Sequence, residues 1–441
     1  MTRRVLLVSP HFPPDTSAAT HRVRLLLAPL RALGWEPVVL TLTPASYEGA
    51  LEPALEALVP AGVRVVRVAA WPAGLTRRVG FGDLGLRAWR ALRAEAARQL
   101  RDERFDVMCW TVYPTWPASS GPALAHAAGT AFVLDLQDPW VGAWGATVGP
   151  RADGRPDLRS RVSRALSLQF ERATVAASDG ITAVSAGTID ALAARVPAVR
   201  QLPQGEVPLV ATADDLRWAL AAEPALAPRT DDTVQVTWCG TLLPAGLGVL
   251  KALLEALAAA AREDARVRAR VRVHFVGTSN ETRADAPARA LPIARAAGVE
   301  AMVTETAPRV PYPAALAALA HADAILLGGS PEAHYTPSRL YPALVTGRPL
   351  LAAYLAGSHP ARVLAGRAGV TLATFPAGGP DRATHAQLVA AWRALAALPA
   401  GAPLRVSDGA GPTGDLADVA ARAMATVFEQ AAARRAGGAR A

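Results

Sequence analysis

Three stretches of the chain hold the residue types that suit chemistry on an anionic or hydroxylated ligand. The first, after the apolar residues 5–8, reads Ser9, Pro10, His11, Phe12, Pro13, Pro14, Asp15, Thr16, Ser17, Ala18, Ala19 and Thr20. Prolines stiffen this turn, and its hydroxyls can cap a helix whose free amides would face a phosphate. The same residues also suit a plain strand-to-helix connection. The second stretch, Asp135-Leu136-Gln137-Asp138-Pro139-Trp140, sets two carboxylates and an indole at a strand end. Carboxylates there can orient hydroxyl groups and an indole can cover an apolar ring face, or one acid can serve as a helix cap. The third runs from Gly328 through Thr336, Pro337, Ser338, Arg339, Leu340 and Tyr341 to Thr346-Gly347-Arg348-Pro349. It places a hydroxyl and a guanidinium at a helix start, where dipole and charge both stabilise a departing phosphate; a solvated arginine is the plainer alternative. Of the eight histidines, His11, His21 and His334 lie near these loops, and a surface or capping role suits each.

These residues need a scaffold. At 441 residues the chain exceeds what one core serves, so two domains are expected. Short apolar or β-branched runs at 5–8, 37–42, 63–68, 107–111, 131–136 and 180–184 read as strands, with helical stretches such as 23–33, 86–101 and 161–177 between them. Periodicity lapses after Leu202, and 206–233 reads as a linker. Strand-like runs return at 234–239, 271–276, 299–304, 324–327, 349–353 and 370–373, separated by helical stretches that include 247–262, 283–297, 314–321 and 338–345. The expected domains are therefore 1–205 and 234–412, each a doubly wound parallel α/β sheet, and a helix within 413–441 has the flexible approach it needs to cross back to the first.

Composition narrows the function. Apolar residues make up 51% of the chain and the net charge is +9, which favours anionic partners such as nucleotides or phospholipid headgroups, although arginine-rich helix ends give the same balance. Cys109 and Cys239 stand far apart, so neither a disulfide framework nor a zinc site is suggested and a cytoplasmic location fits. The first residues show no signal-peptide pattern, and no apolar run is long enough to span a bilayer. A Gly-rich dinucleotide fingerprint and a Walker lysine motif are both missing, which argues against hydride transfer and ATP hydrolysis. No nucleic-acid reading module is recognisable either. Arg22, Arg24, Arg31, Arg77, Arg78, Arg87 and Arg90 are the residues expected to hold the first domain on an anionic leaflet as a peripheral contact.

Taken in order, Phe12-Pro13-Pro14, Asp135 to Trp140, Ile181-Thr182-Ala183-Val184-Ser185, Gly240-Thr241-Leu242, Val310-Pro311-Tyr312, Ala322-Asp323 and the Ser338 to Pro349 segment resemble the glycosyltransferase family 4 group along nearly the whole chain. The resemblance implies a GT-B architecture, with two Rossmann-like sheets facing a central cleft. It implies transfer of a sugar from a nucleoside diphosphate sugar to a glycan or lipid-linked acceptor, with retention of configuration and without a required metal or other cofactor. Donor-binding positions would be Gly240, Thr241, Val310, Tyr312, Ser338, Arg339 and Tyr341; acceptor-binding positions would be Pro14, Asp15, Asp138 and Trp140. Arg339 and Asp138 are the expected catalytic groups.

The chain departs from that family pattern at several places. The paired Glu of many members fall near His334 and at Pro342, the basic pair after the first donor-domain strand falls at about Thr241 and Gly246, and the diphosphate-loop Lys is Arg339. The glycines of the first loop are Ala18 and Ala19, and no His follows the fourth strand among Trp110, Thr111, Val112 and Tyr113. Two alternatives stay open on these grounds: a non-catalytic GT-B scaffold binding a nucleotide, glycan or partner enzyme, and a sugar-nucleotide epimerase or hydrolase.

Overall fold

The computed structural model of the protein describes residues 2–79, 82–141, 158–222, 231–332, 335–406 and 416–438. These form two compact units, the first comprising Met1–Leu209 with Ala417–Ala441 and the second Val210–Leu416.

In the first unit, β1 (Arg3–Val8), β2 (Trp35–Leu42), β3 (Arg64–Val68), β4 (Val107–Val112), β5 (Ala131–Leu136), β6 (Gly180–Ala183) and β7 (Gln204–Glu206) make one seven-stranded sheet in the order β3-β2-β1-β4-β5-β6-β7. All its pairings are parallel. β4 and β5 are buried along their whole length, as strands covered by helices on both faces must be. Helix starts follow the capping rule: the Asp83 side chain accepts from the Leu86 amide at the head of Leu84–Asp102, and Ser185 from Thr188 at the head of Ala186–Arg195. The Ile181 to Ser185 motif is thus a strand, a turn and a cap.

The last helix, Leu416–Gly438, packs in the first unit. Phe428 is fully buried with its ring edge-on to Trp35 at 5.2 Å, and truncating such a ring typically costs about 3–5 kcal/mol. A Cβ on Gly205 would lie 2.9 Å from Val427 Cγ2, so β7 carries a glycine where the helix crosses it.

The second unit holds β8 (Val234–Cys239), β9 (Val271–Val276), β10 (Val303–Thr306), β11 (Ala324–Gly328), β12 (Leu350–Leu355) and β13 (Val370–Phe375) in the order β10-β9-β8-β11-β12-β13. Its pairings are parallel as well. The apolar helix Leu247–Glu263 buries Leu250, Leu253, Leu254 and Leu257 against this sheet together with Trp392. Together with the 3₁₀ turn before it, the stretch Pro244–Glu263 is long and apolar enough to cross a membrane by length and composition, yet the helix packs in the core. Asp323 fastens the start of β11, its carboxylate accepting from the Gln235 and Gly401 amides at 2.8 Å each.

Several elements differ from the sequence expectation. The stretch 23–33 is broken into Thr20–Arg24 and Leu27–Ala32. Of 283–297 only Leu291–Ala297 is α-helical, because Pro287 and Pro292 confine the regular turns to its end. The third strand of the second sheet begins at Val303, after a 3₁₀ turn at Glu300–Met302. The segment expected as a linker contains a helix, Ala213–Ala222, belonging to the second unit. Its Asp214 and Asp215 lie in the first turn, where the helix dipole favours acids.

Candidate active site

In each sheet the strand order reverses once, between β1 and β4 and between β8 and β11. Ligands of open α/β sheets bind beyond the carboxyl ends of the strands at such points.

At the reversal of the second sheet, β8 ends in Cys239 and turns through Gly240, whose φ of +113° is outside the range of other residue types. Arg339 reaches back to this turn from the start of helix Leu340–Val345. Its guanidinium donates to the Thr241 carbonyl at 3.2 Å, the Gly328 carbonyl at 3.3 Å and the Tyr335 hydroxyl at 3.1 Å. Its Cζ lies 4.0 Å from the centroid of Trp238, a cation–π stack. Arg339 Nε is buried and has no hydrogen-bond partner among the described residues. A Cβ on Gly240 would sit 3.3 Å from Arg339 Nη1, close enough to displace the guanidinium by a few tenths of an ångström, while it is φ that calls for glycine here. Beside this cation, burial pushes the Cys239 thiol up to about 12, with Arg339 opposing the shift.

This arrangement suits an anion. The carbonyl contacts are long, and oxygens of a diphosphate would replace them with shorter charge-assisted bonds while the indole holds the guanidinium plane. Thr241 donates to Asn280 Oδ1 at 2.7 Å, joining the loops after β8 and β9. Val310 packs at that second loop, where a Cβ on Gly277 would lie 3.6 Å from Val310 Cγ2. Ser338 is exposed. Arg339, Gly240 and Thr241 therefore meet in one place.

Two other expected donor positions have partners inside the second unit. The Tyr341 ring is fully buried and its hydroxyl pairs with His359 Nε2 at 2.7 Å. The Tyr312 hydroxyl donates to Asp215 at 2.8 Å. Helix Leu340–Val345 has only six residues, so guanidinium charge outweighs any dipole at its start. Pro342 lies within it, and His334 is outside the described residues.

At the reversal of the first sheet, the structure separates the two acids of the β5 end. Asp135 is completely buried: Arg22 holds it through Nε at 3.1 Å and Nη2 at 2.7 Å, with Thr111 and Thr182 donating at 3.1 and 2.7 Å. Arg22 Nη1 also donates to the Val207 carbonyl, at 2.5 Å, and to the Pro208 carbonyl, at 2.9 Å. Asp135 is thus a structural anchor, whereas Asp138 is exposed. Trp140 lies in the core with Leu136 and Val141.

In the first loop Pro14 is buried and follows a cis peptide bond, and its carbonyl accepts from the Glu52 amide at 2.8 Å. Asp15 is buried and its Oδ2 receives His11 Nδ1 at 2.7 Å, Ser17 at 2.5 Å and Thr20 at 2.9 Å. Burial opposes ionisation of Asp15, but the bonds from His11, Ser17 and Thr20 outweigh it and hold the carboxyl below its ordinary value. The His11 ring stacks between Tyr47 at 6.0 Å and Tyr113 at 5.8 Å. His11 is therefore packed and paired within this loop, where a surface or capping role was expected. The i, i+4 spacing of His11 and Asp15 carried the signal, but the loop had to be folded back by its prolines for the pair to form.

Residues 17–205 match the family model described as a glycosyl transferase 4-like domain. Solved structures of low identity share the fold of this chain along nearly its whole length. They include the catalytic domain of starch synthase IV from Arabidopsis thaliana bound to ADP and acarbose, with TM-score 0.57, 12% identity, and coverage of 98% of this chain and 99% of that one. Sucrose-phosphate synthase from Thermosynechococcus elongatus aligns with TM-score 0.53 and 15% identity, covering 100% of both chains. Anabaena HepE in complex with UDP aligns with TM-score 0.53 and 14% identity, covering 99% of this chain and 98% of that one. No curated protein sequence matches the chain. The fold is GT-B, as the resemblance implied.

Proposed function

We propose that the protein transfers a hexose from a nucleoside diphosphate sugar to a hydroxyl of a glycan or lipid-linked acceptor, with retention and without a metal. The observation that carries the donor half is the Arg339 guanidinium, stacked on Trp238 and set against the glycine turn after β8. Similar folds bound to UDP and ADP support a nucleoside diphosphate as the ligand class. In this reading Gly240 lets the diphosphate approach the backbone, and Thr241, Val310 and Ser338 border it. Arg339 neutralises the charge that grows on the diphosphate as the anomeric bond breaks. Tyr341 and Tyr312 act as supports through His359 and Asp215. The acceptor is assigned to the first unit, at the exposed Asp138 and the Pro14–Asp15 loop, with Trp140 supporting from the core.

Release of nucleoside diphosphate from UDP-glucose and ADP-glucose, assayed with a glycoside panel, tests the reading. Product formation that falls sharply in Arg339→Ala without loss of folding is expected; donor consumption at an equal rate without any acceptor would favour a hydrolase instead. Peripheral membrane contact remains part of the proposal in a narrowed form. Arg22, Arg24 and Arg87 are buried, which removes them, whereas Arg77, Arg78 and Arg90 are exposed near exposed Trp71 and Leu75. Anionic vesicles should bind the protein at low salt and release it at high salt.

A further inference from the structure

We propose that the exposed face of the helix Leu158–Ala176 in the first unit enters the headgroup layer of an anionic bilayer, so that apolar side chains as well as arginine charge hold the protein to the leaflet. This deepens the peripheral contact proposed above and rests on that part of the reading, not on sugar transfer. Val162, Leu166 and Phe170 stand four residues apart on one side of the helix and are 59%, 43% and 38% exposed. Ala165, Ala173 and Ala176 are exposed beside them, with Gln169 as the polar residue in their midst. Ser167, Glu171 and Thr174 point the other way and are buried. A helix packed on a sheet ordinarily has its apolar stripe inward and its polar side in water, so this one is turned against the usual pattern.

Charge decides what meets this face. Arg161 and Arg172, eleven residues and so about three turns apart, are exposed along one edge of it. Glu171, the only acid within 161–176, is fully buried and held by Arg195 through two bonds of 2.7 Å. An apolar face edged by arginines and free of exposed acid is the pattern of helices that lie in the plane of an anionic leaflet. Indoles border it. The Trp116 ring meets Phe170 edge-on at 4.9 Å, and the exposed Trp89 donates to Ser120 at 2.9 Å, at the end of the same 3₁₀ turn, Trp116–Ser120. Such rings suit the boundary between headgroups and acyl chains, where one end stays apolar and the N–H stays wet. Arg90, next to Trp89, lies 5.9 Å over the Trp71 ring and carries the face on to the arginines named above. A second copy of the chain is a poorer match. A face about 24 Å long and about 10 Å wide falls well short of the roughly 800 Å² that each partner of a stable pair buries, and the same helix of a second copy brings further arginines but no exposed acid within 161–176.

The test sediments the full chain at low salt, without donor or acceptor, with vesicles of phosphatidylcholine alone and of phosphatidylcholine mixed with phosphatidylglycerol. Wild type should bind the mixed vesicles and not the neutral ones. Val162→Ser with Leu166→Ser should lower the partition coefficient about tenfold or more, and Arg161→Gln with Arg172→Gln about tenfold, with melting temperatures kept. An environment-sensitive probe on Leu166→Cys, attached while the buried Cys109 and Cys239 stay unreactive, should shift to the blue on mixed vesicles. That measurement decides the matter if the serine variant unfolds. Binding of the serine variant within twofold of wild type, or an unshifted probe on bound protein, overturns the role of this helix and leaves a contact made by Arg77, Arg78 and Arg90. Concentration-dependent dimers that the serine variant loses, with no probe shift, overturn it in favour of a contact between copies. Wild type that ignores the mixed vesicles defeats the helix and the peripheral contact together, while the melting shift caused by UDP or ADP tests the donor site separately.

Discussion

The two sheets place opposite chemistries at the same topological position. At the β8/β11 reversal stand a cation, an indole and a glycine turn; at the β1/β4 reversal stand an imidazole, its buried carboxylate and two phenol rings. The first set offers positive charge and the second offers hydrogen-bonding and aromatic surface. A shared fold sets the position of each group, and the side chains at the reversal set the chemistry offered there.

The contrast can be broken first through its frame. Arg22→Ala leaves the Asp135 carboxylate buried and without its cation, and should destabilise the first unit by about 3–5 kcal/mol in a urea titration. The donor side comes next: Gly240→Ala should lose about 1–2 kcal/mol from the positive φ, and more where the new methyl meets Arg339. A lowered midpoint accompanied by a weaker nucleotide shift is expected; unchanged nucleotide binding would show that the turn does not border the ligand.

A smaller effect concerns Asp15. Its carboxyl is held below the ordinary value in the fold, so its contribution is present above about pH 4 and is lost as pH falls through the folded value. Asp15→Asn should therefore narrow the stability gap to wild type in acid relative to neutral pH, as read by melting curves. The smallest perturbation is chemical: burial raises both Cys109 and Cys239 thiols, so neither should react with a thiol reagent at neutral pH until the chain unfolds.

The strands, their parallel arrangement and the two-unit organisation were legible because buried strands leave unbroken apolar runs and helices leave period-3.6 stripes. That Arg339 meets the Gly240–Thr241 turn was legible for a related reason: both lie in loops that follow the neighbouring strands β8 and β11. The burial of Asp135 and Trp140 was not legible, because an acid or an indole at a strand end looks the same whether it faces solvent or core. The partner that decides the matter for Asp135, Arg22, is 113 residues away. Arg87 was misjudged similarly, as a buried arginine with partners from distant segments, and Arg24 is buried with His21 of its own helix as a partner. The environment of His11 escaped because it is built from three loops that only folding brings together.

The most direct measurement is the melting shift caused by UDP and by ADP in the wild-type protein, in Arg339→Ala and in His11→Gln. A nucleotide that raises the melting temperature of wild type and His11→Gln alike, but not that of Arg339→Ala, is the result the account predicts. An undiminished shift in Arg339→Ala, or a shift lost in His11→Gln instead, would contradict the division of diphosphate and hydroxyl binding between the two sheets.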